Sequence, residues 1–217
     1  MARGLVLFDL DGTLIDTAPD LCGAANRLRL ESGLTPLPYE DLRPFAGTGA
    51  KGLLAKALGV FPDNPRYPEL RARFLSDYSE HMRDNTVPFA GIDAVLQRLA
   101  AEGRHWGIVT NKAMRLAGPL VQDLIAPIAE PDVLIAGDTT PKMKPAPDSL
   151  WEAARRLAHP VTECLYIGDI TASSAAGMAS IAALWGYGTD AQDWGATALA
   201  RRVSDLPSLI DTLLASS

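Results

Sequence analysis

The hydrophobic pattern alternates between short, fully apolar runs and apolar stripes spaced three or four residues apart. The run Leu5–Phe8 is apolar at every position and is followed at once by polar, turn-forming residues. Such runs are typical of strands that are buried on both faces of a parallel sheet. The pattern predicts four further strands of this kind, at 106–110, 133–136, 164–167 and 181–184.

Helical stripes fill the segments between these runs. The first follows Asp16 and Pro19 and stops near Gly33, which are start and stop signals of a helix. Further helices are predicted at 39–45, 52–58, 68–83, 92–99, 113–124, 147–158 and 206–214. In the helix at 147–158, the stripe predicts that Trp151 faces inward. The glycine-rich stretch 46–50 predicts a loop that can wrap a ligand.

The order of the predicted elements indicates an inserted helical segment. Residues 16–87 contain helical patterns and no strand longer than a few residues, whereas strands and helices alternate from residue 88 onward. Such alternation predicts an α/β fold with a doubly wound, Rossmann-like parallel sheet. We therefore expect a catalytic core from residues 1–15 and 88–217, and a separate helical domain from residues 16–87.

Composition limits the classes of partner. The chain has 217 residues, 47% hydrophobic and 21% charged, as in an ordinary globular protein. Its formal net charge of −6 offers no basic field for nucleic acid. Cys22 and Cys164 have no metal-ligand spacing and predict free thiols in a reducing compartment. Without a signal-peptide pattern or an apolar run near ~20 residues, we expect a cytoplasmic protein that does not bind membranes.

The residues after the first strand carry the first candidate chemistry. Asp9 and Asp11 are two positions apart, so extended chain sends both carboxylates to one side of the sheet edge where ligands of α/β proteins bind. Two such carboxylates repel each other unless a cation neutralises one or one keeps its proton. An aspartate nucleophile beside an aspartic acid, with Mg²⁺, would satisfy this condition. A solvated Asp-x-Asp-Gly turn is the alternative that this stretch alone leaves open.

Polar residues follow other predicted strands as well. Thr110 and Asn111 end the second strand, and Asp169 follows the fourth. Lys144 precedes a predicted helix, where its ammonium can neutralise a nucleophile and a phosphoryl group together. Mg²⁺ favours one or two carboxylates, waters and a substrate phosphate. Asp9, Asp169 and the backbone carbonyl of Asp11 could supply that set, although Thr110 and Asn111 could equally be a strand end and a helix cap.

Four short motifs in this order resemble those of haloacid dehalogenase-like phosphatases, over essentially the whole chain. They are Asp9-Leu10-Asp11-Gly12-Thr13, Thr110-Asn111, Lys144-Pro145 and Gly168-Asp169. The resemblance implies that Asp9 attacks phosphorus, that Asp11 acts as acid and then base, and that Mg²⁺ is held by Asp9, Asp11 and Asp169. It also implies that Thr110, Asn111 and Lys144 bind the phosphoryl oxygens, and that residues 16–87 are the family's mobile cap.

The stretches around 16–20, 106–112, 137–141 and 185–188 are most similar to bacterial phosphoglycolate phosphatases. The resemblance to N-acetylmuramic acid 6-phosphate phosphatases is nearly as good. It implies a Mg²⁺-dependent phosphomonoester hydrolase that acts on a small phosphorylated metabolite. The acid at Asp11 disfavours a dehalogenase, since dehalogenases of this superfamily lack it. Monomer and homodimer both stay open.

The fourth motif departs from the family pattern. The family usually has a second Asp four residues after the first, but 168–178 contains no acid after Asp169. Loss of a residue that orients metal-bound water typically costs ~10–100-fold in metal affinity or activity. We therefore expect an active phosphatase with weakened Mg²⁺ binding. A phosphate-binding relative that has lost turnover is the alternative.

Other polar residues are assigned lesser roles. Lys51 could meet a substrate carboxylate from the cap, or could be an ordinary surface lysine in the first turn of a helix. Lys112 and Lys142 are predicted to be solvated, and Asp138 and Thr139 to support Lys144. Trp106 and Trp151 are expected in the core.

Overall fold

A six-stranded parallel sheet forms the centre of the first of two units. The computed structural model describes residues 4–168, 171–188 and 195–215. The strands of the sheet are β1 (Leu5–Phe8), β4 (Trp106–Val109), β5 (Val133–Ile135), β6 (Cys164–Gly168), β7 (Ala179–Ala183) and β8 (Ala198–Ala200). Their spatial order is β5-β4-β1-β6-β7-β8, and every neighbouring pair is parallel. The predicted α/β fold with a parallel sheet is confirmed.

Strand β1 is the point from which the chain winds in both directions. It pairs with β4 on one side and with β6 on the other. The chain passes from β1 out to β4 and β5, and then returns to β6 beside β1 before continuing outward. This reversal is the topological switch point at which open α/β sheets bind ligands. The carboxyl ends of β4, β1 and β6 therefore meet at one place.

Burial explains why these runs form strands. All four residues of β1 are inaccessible to solvent, as the continuous apolar run predicted. Within the core cluster, Leu5 and Leu7 pack with Val109, Ile135 and Tyr166 from neighbouring strands. Strand β8 was not predicted, because three residues at the sheet edge, with one exposed leucine, give too short an apolar pattern.

Helices accompany the strands of this unit. They are α5 (Ile92–Ala101), α6 (Met114–Leu120), α7 (Asp148–Arg156), α8 (Thr171–Ala176) and α9 (Leu206–Ala215). The predicted helix at 113–124 is divided, because α6 contains Pro119 and continues as a π-helical turn at Val121–Ile125. Proline removes a helical N–H and crowds the preceding turn. The expectation that Trp151 lies in the core is wrong: it is 47% exposed, and its indole N–H donates to the carbonyl of Ala176.

The second unit comprises residues 16–87 together with 187–188. Its helices are α1 (Ala18–Glu31), α2 (Tyr39–Leu42), α3 (Gly49–Leu58) and α4 (Tyr67–His81). The prediction of a loop at 46–50 is wrong, because a 3₁₀ helix covers Arg43–Thr48 and α3 begins at Gly49. The chain crosses between the units at β2 (Ile15–Asp16) and β3 (Val87–Pro88), which pair as a two-stranded sheet.

Tyr187 belongs to the second unit although it follows β7 in sequence. Its hydroxyl accepts hydrogen bonds from the N–H groups of Thr17 (2.7 Å) and Ala18 (3.0 Å). It donates to Oδ1 of Asp16 at 2.9 Å. One phenol thus satisfies backbone donors at the start of α1, which has no side-chain N-cap of its own.

Candidate active site

The turn after β1 places two aspartates at the carboxyl edge of the sheet. The N–H of Asp9 still continues the sheet ladder, donating to the carbonyl of Ile167 at 2.8 Å. The chain then turns tightly, because the carbonyl of Leu10 accepts hydrogen bonds from the N–H groups of Thr13, Leu14 and Ile15. The carboxylates of Asp9 and Asp11 therefore stand on a rigid support.

Asp9 forms an ion pair with Lys144. The Nζ atom of Lys144 lies 2.9 Å from Oδ1 of Asp9, and the N–H of Leu10 donates to the same oxygen at 2.8 Å. Burial raises the pKa of Asp9 above its ordinary value, while the Lys144 ammonium opposes that shift. Lys144, and to a smaller extent the N–H of Leu10, therefore favour a charged carboxylate at this buried position.

The Lys144 ammonium makes three close polar contacts with residues that the structure describes. Besides Asp9, the ammonium donates to the carbonyl of Val109 at 2.9 Å and to the hydroxyl of Tyr166 at 2.6 Å. An ammonium has three protons, so these acceptors match its donors in number. Sequence reasoning missed Tyr166, for which the only signal was a hydroxyl-bearing residue inside an otherwise apolar strand.

Asp11 is paired with a lysine that was predicted to be solvated. The Nζ atom of Lys112 lies 3.0 Å from Oδ1 of Asp11, and the Lys112 side chain is only 7% exposed. The prediction of a solvated Lys112 is therefore wrong, whereas Lys142 is exposed as expected. Among the described residues, the carboxylates of Asp9 and Asp11 thus each lie beside one ammonium group.

Thr110 and Asn111 lie at the same edge but bond to backbone. The buried hydroxyl of Thr110 accepts a hydrogen bond from the N–H of Lys112 at 3.1 Å. The side-chain amide of Asn111 donates to the carbonyl of Lys144 at 2.9 Å. The loops after β4 and β5 are close here, since a Cβ on Gly137 would lie 2.2 Å from the Asn111 carbonyl oxygen.

Asp138 and Thr139, which were predicted to support Lys144, make local hydrogen bonds. Asp138 Oδ1 accepts from the N–H of Met114 at 2.8 Å, at the start of α6. Thr139 Oγ1 accepts from the N–H of Ala136 at 2.9 Å. Their described hydrogen bonds stabilise a helix start and a turn after β5.

The predicted metal ligand Asp169 lies outside the described residues. Among the residues that are described, no group of three His, Cys, Asp or Glu side chains could hold a metal ion. The oxygens of Asp9 and Asp11 are nevertheless of the kind that Mg²⁺ prefers. Gly168 also brings the chain close to the nucleophile candidate: its φ is +149°, and a Cβ there would lie 2.6 Å from the Cβ of Asp9. The donor chemistry at this edge therefore fits Mg²⁺.

Lys51 lies in the other unit, where it is exposed in the first turn of α3. Its proposed contact with substrate stays a prediction.

Comparison with known proteins identifies the family. The model for haloacid dehalogenase-like hydrolases matches residues 6–183, which include β1 and its two aspartates. The chain belongs to the haloacid dehalogenase-like hydrolases. The resemblance drawn from the four short motifs is thereby confirmed.

Relatives within this family are named phosphatases. The chain is 41% identical over 186 residues to a phosphoglycolate phosphatase of Xanthomonas campestris pv. campestris, covering 84% of this chain and 83% of the relative. It is 34% identical over 216 residues to an N-acetylmuramic acid 6-phosphate phosphatase of Pseudomonas aeruginosa, covering 96% and 95%. This haloacid dehalogenase-like hydrolase is therefore a phosphatase, as predicted. Phosphatases of the family generally use Mg²⁺.

Solved structures support the fold. A crystal structure from Lactobacillus delbrueckii subsp. bulgaricus superimposes with a TM-score of 0.84 at 27% identity, covering 97% of this chain and 99% of the other. A haloacid dehalogenase-like family protein from Streptococcus pneumoniae gives 0.81 at 20% identity, covering 96% and 98%, and shares the fold. In the described part of the chain, helices are too short or too polar to cross a membrane.

Proposed function

We propose that this phosphatase hydrolyses small phosphomonoesters through an aspartyl-phosphate intermediate, with phosphoglycolate as its substrate. A relative that is 41% identical is named phosphoglycolate phosphatase. The observation that carries the proposal is the pair of aspartates at the switch point, each opposed by a lysine. Such an edge can accept a phosphate and supply both a nucleophile and a proton.

Asp9 is the proposed nucleophile. One of its oxygens is held by the N–H of Leu10 and by Lys144, which directs the carboxylate along the carboxyl edge of the sheet. Attack on phosphorus would form a bond from Asp9 to phosphorus and release the alkoxide of the ester. Lys144 would then compensate negative charge on the phosphoryl oxygens, and Thr110 and Asn111 would bind those oxygens from the end of β4.

Asp11 is the proposed acid and base. It stands two residues beyond the nucleophile on the turn fixed by the Leu10 carbonyl. In the first step its proton would go to the departing oxygen. In the second step its carboxylate would take a proton from the water that hydrolyses the aspartyl phosphate.

Asp9, Asp169 and the backbone carbonyl of Asp11 would hold Mg²⁺. When bound, Mg²⁺ supplies positive charge that offsets the charge of the phosphate dianion. Since no second acid follows Asp169 in the fourth motif, we expect weak binding of the ion. Titration of Mg²⁺ against turnover of an aryl phosphate measures this, and saturation at low micromolar Mg²⁺ would contradict it.

A substrate panel tests the proposal. We would measure kcat/KM with added Mg²⁺ for phosphoglycolate, N-acetylmuramic acid 6-phosphate and common sugar phosphates, with Asp9→Asn as the inactive control. The expected result is a preference for phosphoglycolate that is abolished in the variant. Unchanged activity of Asp9→Asn would refute the mechanism.

N-acetylmuramic acid 6-phosphate is the second candidate substrate. It is favoured by the relative of that name that is 34% identical over 96% of the chain. A higher kcat/KM for this sugar phosphate would decide in its favour. If an aspartyl phosphate accumulated without hydrolysis on every ester, a phosphate-binding role without turnover would replace both.

Lys51 provides a separate test of substrate class. If its ammonium meets a substrate carboxylate, Lys51→Met raises KM for phosphoglycolate and leaves KM for a neutral phosphate ester unchanged. Lys56→Met is the matched control, because Lys56 is also exposed and lies on the same helix. Equal effects on both esters would count against this role.

A further inference from the structure

The mechanism given above assigns no step to Lys112, which forms the ion pair with Asp11. The Lys112 and Asp11 side chains are 7% and 20% exposed, and their charged atoms are 3.0 Å apart. Most surface ion pairs involve lysines with mobile, solvated ends. This lysine is instead withdrawn from solvent beside the carboxylate proposed to transfer protons.

The backbone of Lys112 is fixed on both sides. Its N–H donates to Thr110 Oγ1 at 3.1 Å, and its carbonyl accepts from the N–H of Gly137 at 2.9 Å. Thr110 is itself held to β5, because its N–H donates to the carbonyl of Ile135 at 2.9 Å. The lysine therefore extends from the end of β4 with its main chain tied to the neighbouring strand and loop.

The two ends of the ion pair come from adjacent strands. Asp11 follows β1 and Lys112 follows β4, and these strands are paired in parallel with Phe8 opposite Ile108. The register of the sheet thus sets the distance between the two loops. A carboxylate on a turn has rotameric freedom of its own, which an ammonium at 3.0 Å restricts.

We propose that Lys112 is a positioning residue that holds the carboxyl group of Asp11 where it can reach the leaving oxygen. The inference rests on the proposed function. As the bond from Asp9 to phosphorus forms and the ester P–O bond breaks, the proton of Asp11 moves to the departing oxygen. Lys112 acts on this step through the orientation of Asp11 and leaves the attack by Asp9 unchanged.

Leaving groups of different basicity separate this role from a structural one. An alkoxide such as that of glycolate requires a proton as it departs, whereas 2,4-dinitrophenolate departs without one. We would compare kcat/KM for phosphoglycolate and 2,4-dinitrophenyl phosphate in the wild type, Lys112→Met, Lys112→Arg and the exposed-lysine control Lys142→Met. Misplacement of a catalytic group by about 1 Å can cost ~100-fold in rate.

The expected result is a loss of about tenfold to 100-fold on phosphoglycolate in Lys112→Met, with a loss below about threefold on the dinitrophenyl ester. Lys112→Arg should recover part of the loss, and Lys142→Met should resemble the wild type. In an Asp11→Asn background, Lys112→Met should cause no further change in the ratio of the two esters. If Lys112→Met does not fold, the same ratio is read from Lys112→Arg and Lys112→Gln.

Two outcomes would overturn the inference while leaving the proposed function intact. Equal losses on both esters would indicate that Lys112 binds the phosphate or supports the fold. No loss on either ester would show that the ion pair has no part in the reaction. Absence of turnover of both esters by the wild type would instead refute the proposed function, and the inference with it.

Discussion

Replacing Tyr166 by phenylalanine removes one of the three acceptors that described residues offer to the Lys144 ammonium. The hydroxyl accepts a hydrogen bond from Nζ at 2.6 Å, while the ring of Tyr166 lies 5.2 Å from the same nitrogen. Phenylalanine keeps the ring and its packing. The variant therefore isolates the hydroxyl, and it does so at a residue outside all four sequence motifs.

The magnitude follows from burial. Tyr166 is inaccessible to solvent and Lys144 is 8% exposed, so water has poor access to replace the lost acceptor. A hydrogen bond to a charged group contributes about 1.5–3 kcal/mol, and an unsatisfied buried donor costs a similar amount. We expect the free energy of unfolding to fall by about 2 kcal/mol. For a chain of this size, that change lowers Tm by about 4–8 °C.

Inorganic phosphate should partly reverse this effect. In the variant, one ammonium proton loses its acceptor among the described residues, and a phosphate oxygen can take it. A ligand that binds only the folded state stabilises it in proportion to the logarithm of its concentration over Kd. The increase in Tm on adding phosphate should therefore be larger for Tyr166→Phe than for the wild type.

Urea unfolding followed by tryptophan fluorescence measures the change, since Trp106 is buried in β4 next to β1. Tyr67→Phe, at the half-buried first residue of α4, is the matched control. A loss below about 0.5 kcal/mol, the level of ordinary surface substitutions, would refute the reasoning. So would a phosphate effect equal to that of the wild type.

Three further predictions concern packing, thiol chemistry and pH. Gly137→Ala should lower the free energy of unfolding by about 1–3 kcal/mol, because its methyl group would lie 2.2 Å from the carbonyl oxygen of Asn111. Gly118→Ala, inside α6 where a Cβ makes only ordinary contacts, should raise the free energy of unfolding by up to about 1 kcal/mol. Thermal melts compare the two variants. Burial raises the pKa of the Cys22 and Cys164 thiols to about 11. Iodoacetamide at pH 8 should therefore alkylate neither thiol, as detected by mass spectrometry, until urea opens the unit that contains that cysteine. Burial, and then the neighbouring imidazole of His105, lower the pKa of His159 below 6.5. The unfolded state therefore binds more protons, and stability should fall as pH drops below about 6.5. Urea unfolding from pH 5 to 8 should show a weaker pH dependence in His159→Gln, and an unchanged slope would contradict the assignment.

The sheet and its central strand were predictable because burial on both faces imposes a continuous apolar run. Elements that depend on tertiary context were not predictable from the sequence. The exposure of Trp151 on α7 and the 3₁₀ helix at Arg43–Thr48 follow from packing that no local pattern specifies. In the candidate site, motif residues identified Asp9 and Lys144 as neighbours, and the ion pair between them is present.

The burial of Lys112 shows why the remainder could not be predicted. Its distance to Asp11 depends on the register of β1 against β4 and on the turn around the Leu10 carbonyl, which together bring two loops that are distant in sequence into contact. A lysine flanked by polar residues carries no pattern that distinguishes it from a solvated one. The hydrogen bond of the Tyr166 hydroxyl could not be predicted either, since an apolar strand tolerates tyrosine whether or not its hydroxyl has a partner.

The paired crossings β2 and β3 make the helical insert exchangeable. Strands that pair lie about 4.8 Å apart, so the entry and exit of the insert are near neighbours. Insertions whose ends are close are tolerated by a host domain. A different helical insert could therefore replace this one without a change in the strand order of the sheet, provided that it supplies backbone N–H groups for the Tyr187 hydroxyl, as Thr17 and Ala18 do now. The two-stranded connection thus lets the insert change while the sheet keeps its strand order.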